Sequence, residues 1–422
     1  MKTKKNNYVL LLSFLLLLIP GCQNTDYLSI DDDLVLEKSG NAKVMPSKAK
    51  DVLIKAQEDW QSINNALQDA KSGEVIQLGE GLFYLHKSII RWNFNGTLKG
   101  SGMDKTTIQT MPGKLFDRID SPPIDWKLES NDGGFMFCFP HDFTEDERTV
   151  TVSDLSIVVS EPTTPYLRWK NSDKEMEFNS LQAITVYYEN MDNDMENPIH
   201  MNVFYKNITI TGEKDEKYNY NSYSVFQGLS AFGASSGTFE AKNVWIENAS
   251  GCINPHAFYG DNATVTVKNA HLKSCHFGIF SFLNHSWTIL NNEIEDSWRS
   301  IVLLKRNAWG ELVDGPDGST FVKNNRIQFT NMGLGVQYLN NVEVKNNVIE
   351  GSGIYGGIAS IFGDNWIIKD NDLCGVPVPP NNCTIFLYNL TNSEIKNNAN
   401  QIIGGPGASE PTNIIGEGSE CH

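Results

Sequence analysis

The octapeptide Val342-Glu-Val-Lys-Asn-Asn-Val-Ile349 carries the architecture of this chain in eight residues. Apolar and polar residues alternate over its first half, the two-residue period of a strand with one buried and one wet face. A Lys and two Asn follow, and then a second apolar start. The phrase recurs as VWIENAS (244–250), VTVKNAHL (265–272), WTILNNEI (287–294), FVKNNRI (321–327), WIIKDNDL (366–373) and SEIKNNAN (393–400). With positions 247, 268, 290, 323, 345, 369 and 396 in one phase, the spacing clusters near 22 residues. Strand alternation at such a period means stacked coils, each pairing only with its neighbours. Asn suits the corners because it tolerates left-handed backbone and can pass amide hydrogen bonds from coil to coil.

Working outward, most coils carry a second short strand, as in His276-Phe-Gly-Ile-Phe280 and Ser300-Ile-Val-Leu-Leu304, so the fold class is all-β, a parallel β-helix. Weaker copies, TVTVSDLSIVV and NITITGE, extend it forward, with interruptions expected at 111–147, 161–180 and 211–223. Ile63, Ala66, Leu67 and Ala70 at helical spacing, stopped by Gly73, predict one short helix ahead of the first strands. Residues 22–54 are polar, acidic at Asp31 to Asp33 and aperiodic, and read as a tether. The body spans 55–405, and 406–422 reads as a C-terminal tail.

At the front, Lys2, Lys4 and Lys5 precede an apolar run ending in Ile19-Pro20-Gly21-Cys22, so residues 1–21 read as a signal peptide. Cys22 then stands where bacterial lipoproteins are acylated, which implies export to the cell envelope and a membrane link through lipid only. The chain has 422 residues, with 34 basic against 51 acidic side chains, a charge of −17. Without the three leader lysines it is 31 against 51, or −20. Such acidity argues against nucleic acid as a partner and expects a monomer in solution. Six cysteines remain after Cys22. Cys374 and Cys383 flank a short loop and are the expected disulfide. Cys138, Cys252 and Cys275 are expected as buried thiols, with a bridge between Cys252 and Cys275, about one repeat apart, as the alternative.

The opening INNALQDAKSGEVIQLGEGLFYL, the following GTLKGSG and the Lys-Asn-Asn coils together resemble the pectate-lyase-like right-handed, single-stranded parallel β-helices over residues 55 to 405. That resemblance implies work on carbohydrate without naming the bond, since the fold hosts lyases, hydrolases, epimerases and adhesins. Asn254-Pro-His256 is similar to the Asp-Pro-His signature of mannuronan C5-epimerases, with Asn254 in place of the acid. The paired aspartates and Gly-His-Gly of polygalacturonases are absent.

Side chains at one phase of successive coils stack, so candidate sites are ladders. The phase above puts His256, His276 and Arg299 in one outward row, and Asp261, His285, Lys305 and Arg306 in a second, with Tyr259 beside it. Trp298 and Trp309, with Trp245 and Trp287, offer stacking faces for sugar rings. Over 256–309 five basic side chains meet four acidic ones, a local +1 in an acidic chain, which suits an acidic sugar. Proton removal beside a uronate carboxylate needs a base, a cation for the enolate and often an acid. His256 or His276 is the expected base, Arg299 or Lys305 the neutraliser and Tyr259 the acid. No metal ligands and no cofactor are assigned, with calcium kept open as a cation that Asp192, Asp194 and Glu196 in a solvated loop would suit. Two other readings share the fold, a glycan-binding or scaffold protein and a glycoside hydrolase using Glu293, Glu295 or Asp296.

Overall fold

In the computed structural model the described residues are 52–54, 60–112, 116, 135–142, 147–160, 167–171, 174–178, 180–188, 200–215, 223–233, 236–256, 258, 263–282, 286–305, 318–352, 356–377 and 383–421. They form a right-handed parallel β-helix, in which successive coils pair in parallel register into one continuous wrapped sheet. Each full coil contributes strands to three faces. One antiparallel hairpin, Leu167–Asn171 with Lys174–Phe178, stands apart from that sheet.

Three inward ladders fill the interior, one per face. Val152, Tyr205, Ala241, Val267, Ile289, Val322, Val344, Ile368 and Ile395 line the first. Ile157, Ile210, Ile246, Leu272, Ile294, Ile327 and Ile349 line the second. Phe137, Ile184, Leu229, Ile253, Ile279, Ile301, Leu334, Ile358 and Ile385 line the third. All are fully buried in one continuous core. Branched residues dominate because a pleated, closely packed wall accepts their stiff side chains at little rotamer cost.

The Asn pairs make the corner between the first two faces. The Asn that opens each corner, whether or not a second Asn follows, takes the left-handed conformation, with φ of 52–55° at Asn243, Asn269, Asn291, Asn324 and Asn346. The second is buried and forms a ladder, in which Asn292, Asn325, Asn347 and Asn371 each donate from Nδ2 to the next coil's Asn Oδ1 at 2.8–2.9 Å, ending on Asn398. Each of these oxygens also accepts the preceding Asn backbone N–H, and each Nδ2 also reaches a backbone carbonyl, so these amides are fully paired.

The helix Trp60–Asp69 caps the N-terminal end by burying Ile63 and Leu67 over the first coil. Arg91 donates to the carbonyls of Leu67 (2.7 Å) and Ala70 (3.2 Å), answering groups that a helix end leaves unpaired.

Several expectations are corrected. Lys268, Leu290, Lys323, Lys345, Lys369 and Lys396 share one row as the repeat predicts, but the coil before them contributes Lys242, and Glu247 pairs with Lys273 on the next face. The copy there is Ala241-Lys-Asn-Val244, and VWIEN imitates it five residues late. The interruption at 111–147 contains the buried strand Phe135–His141, in register with Leu181–Tyr188. Val52–Ile54, expected in the tether, already pairs with Ile76, Gln77 and Leu78. The expected tail adds a last short coil, with Ile414–Ile415 beside Glu394–Ile395.

The disulfides differ most. Cys374 joins Cys421 rather than Cys383, and Cys252 joins Cys275 across neighbouring coils, while Cys138 is a buried free thiol and Cys383 belongs to neither bridge. Closeness in sequence pointed to Cys383, whereas the returning last coil sets Cys421 beside Cys374.

Candidate functional site

The third face carries the candidate residues, because its strands Ala249–Pro255, Phe277–Phe282 and the end of Glu293–Leu304 lie side by side. Register divides the expected single row in two. Phe277 pairs with Arg299 and with Gly251, so His276 lies level with Trp298 one coil on and with Ser250 one coil back. His256 is six residues further along than Ser250, at the opposite edge of the sheet, and its N–H donates to the Ala231 carbonyl. Lys305 belongs to that far edge too, its N–H donating to the Gln337 carbonyl. The cause is the five-residue slip at Glu247, which displaced His256 from its true phase.

At the near edge the structure brings three candidates together. The His276 imidazole stacks on the Trp298 indole with centroids 4.2 Å apart and planes 15° from parallel. The Arg299 guanidinium lies 4.0 Å from the same indole and 5.9 Å from the Phe277 ring. Arg299 is only 5% exposed and donates from Nε to Asn331 Oδ1 at 3.3 Å. Burial and then the Arg299 charge push the His276 pKa down to about 3, so this imidazole is neutral, a proton acceptor, over the physiological range.

At the far edge His256 is 8% exposed, stacked on Phe232 at 4.8 Å and met edge-on by Phe280 at 6.0 Å. Burial lowers its pKa to about 3. Tyr259, Asp261, His285, Arg306 and Trp309 lie outside the described residues, as do Cys22 and the Asp192–Glu196 acids. Trp287 is an interior residue, and Trp245 is exposed on the second face, over His271.

Polar side chains line the outward surface of the third face ahead of these groups. Thr185 donates to Gln182 (2.9 Å) and shares a 2.8 Å hydrogen bond with Ser230. Behind Arg299 the surface turns apolar, with Val302, Leu304, Met332 and Ala359 packed against Phe277, Phe280 and Phe386. The sequence reading missed Asn331, Gln182 and Gln227. Asn331 stands one repeat after Trp298, and that spacing was a usable signal; the two Gln lie where interruptions hide the period. His141 and Asp142, adjacent in sequence, do not form a dyad: His141 lies 3.3 Å from Arg148, and Asp142 accepts from Asn93.

Among the described residues one grouping has the makings of a metal site, His271 with Glu293 and Glu295 on the second face. Glu293 is 3.0 Å from His271 Nδ1, and Lys273 lies 3.6 Å from Glu295, so the group reads as a surface ladder of paired charges. Among the described residues no helix is long and apolar enough to cross a membrane.

No family model matches this chain, and no curated protein does. Among solved structures it is similar to the mannuronan C-5 epimerase AlgE6 A-module of Azotobacter vinelandii, at 10% identity and TM-score 0.42 over 86% of this chain and 94% of that one. It is also similar to a mannuronic acid specific polysaccharide family 6 lyase from human gut microbiota, at 10% identity and TM-score 0.43 over 87% and 86%. A third is the catalytic domain of a GH87 alpha-1,3-glucanase with nigerose, at 12% identity and TM-score 0.40 over 90% and 70%. Likeness of this order speaks to neither substrate nor chemistry.

Proposed function

We propose that this chain is an exported β-helix enzyme of the bacterial envelope, lipid-anchored through Cys22, that removes the proton beside the carboxylate of a uronic-acid polysaccharide, as a lyase or epimerase. One observation carries the reading: an imidazole, His276, and a guanidinium, Arg299, flank a single indole, Trp298. A base, a carboxylate neutraliser and a stacking surface are what such a reaction asks of its enzyme. Elimination expels the 4-linked sugar and leaves a 4,5-unsaturated uronate; epimerisation returns a proton from the other side. The neighbours' titles, epimerase and lyase, accord with this reading without deciding it.

The test is incubation with a panel of uronate polysaccharides, with and without calcium, watching for the unsaturated product by ultraviolet absorbance and for proton exchange at C5 by NMR. Activity lost in both His276→Gln and Arg299→Lys supports the assignment. Activity lost in His256→Gln but kept in His276→Gln moves the base to the far edge, beside Lys305. No reaction, with binding retained, makes the protein a glycan-binding scaffold; new reducing ends without unsaturation make it a hydrolase.

A further inference from the structure

On the third face the side-chain oxygens of Gln227, Asn254 and, several coils away, Ser360 break the rule that buried polar atoms are paired. Asn254 is 3% exposed, and its Oδ1 has no hydrogen-bond partner; Gln227 Oε1, also sealed from solvent, has none either. The contrast is local, since Thr185, Gln182 and Ser230 on neighbouring coils satisfy one another. Unpaired buried acceptors destabilise a fold and call for an explanation.

The two residues stand on adjacent coils. Gln227 is the register partner of Gly251 on the next coil, and the Asn254 side chain folds back over Gly251, where any side chain would collide with it. Gly251 is thus the gap that the Asn254 side chain fills, one coil on from Gln227. The same row continues through Phe277 to Arg299. Two coil spacings separate Gly251 from Arg299, roughly 10 Å at the usual strand separation. His276, next to Phe277, lies between them. A sugar with its carboxylate at Arg299 therefore has an adjoining ring within reach of the two amides.

We propose that Gln227 and Asn254 form a hydroxyl-reading subsite, which accepts hydrogen bonds from a free sugar O–H next to the uronate bound at Arg299. This rests on the proposed function above. The ligand chemistry follows from the atoms: two neutral acceptors without a donor ask for an uncharged O–H, and neither carboxylate nor ester supplies one. Both oxygens are sealed from solvent, so binding must first uncover them. An acetyl group on that hydroxyl removes the donor and adds bulk, so the subsite selects de-esterified polymer.

The test is calorimetric binding of uronate oligosaccharides in native and O-acetylated form, which needs no turnover. Wild type is expected to bind the native form roughly 10- to 100-fold more tightly than the acetylated one. Asn254→Ala and Gly251→Ala should weaken native binding by a similar factor and narrow that preference. Gly251→Ala is the informative variant, because the three nearest atoms in its way all belong to the Asn254 side chain, so the amide is displaced while the backbone is spared. Equal binding of both forms by wild type, or an unchanged preference in both variants, overturns the subsite and leaves ordered water as the amides' partner. Absence of binding to any uronate by wild type overturns the proposed function with it.

Discussion

His276 lies flat on Trp298, one coil apart in the same register position, and Arg299 covers the same indole. The arrangement fixes the imidazole's charge as well as its place. Protonating it would put a second cation beside the guanidinium in a buried spot.

The acid limb of the proposed reaction therefore lies far below the usual histidine range. If His276 is the base, the rate with uronate polymer stays level from pH 8 to about 5 and falls only toward the group's pKa of about 3. A fall centred near pH 6.5 excludes His276. In Arg299→Met the midpoint, followed by NMR of the ring, moves up, yet stays below 6.5 because burial is the larger cause.

Stability should also depend on pH through His256. Its folded pKa, about 3, is below the unfolded value of 6.5, so the unfolded chain takes up protons first on acidification. The stability that depends on a neutral His256 is fully present above pH 6.5 and is lost as pH falls toward 3. Between pH 7 and 5 the loss is roughly 2 kcal/mol. Urea midpoints at the two pH values should lie closer together in His256→Gln than in wild type.

The buried Asn ladder should be sensitive in its middle. Asn347 accepts from the backbone and side chain of Asn325 and donates to Asn371 and to Val322. Asn347→Ala leaves several groups orphaned at once, and about 2–4 kcal/mol of unfolding free energy should be lost. Asn324→Ala, at the exposed left-handed corner, should cost about 1–2 kcal/mol through its backbone alone. Denaturant titration of the two variants checks the order.

Cys421→Ser should loosen the C-terminal end selectively. The bridge to Cys374 closes a 47-residue separation, for which chain entropy gives an upper figure of about 4 kcal/mol. Hydrogen exchange should accelerate over 383–421 and leave the coils near His276 unchanged. Uniform acceleration would mean that the last coils are not an independent unit.

Strand alternation and Asn corners made the architecture legible, because one period governs both burial and turn geometry. Lys323, Lys345 and Lys369 fell in register with no structure to hand. Glu247 did not, since VWIEN satisfies the same local pattern as AKNV and only cross-coil pairing distinguishes them. That slip misplaced His256, as a ladder argument inherits every phase error before it. Trp298 and Arg299 came through because they follow a correctly phased coil. Gln227 was beyond reach, and Asn254 was legible only as part of a motif, since an unpaired oxygen is a property of surroundings and not of residue type.

The last coil has one more consequence. A parallel β-helix that simply stopped would offer its final rung as a template for the next molecule, inviting growth into filaments. Here that rung is two residues long, Ile414 and Ile415, with Ile414 67% exposed, and Cys421 fastens the chain beyond it to Cys374. The bridge thus holds this short rung in place, and a thiol-reduced chain would be the more aggregation-prone form.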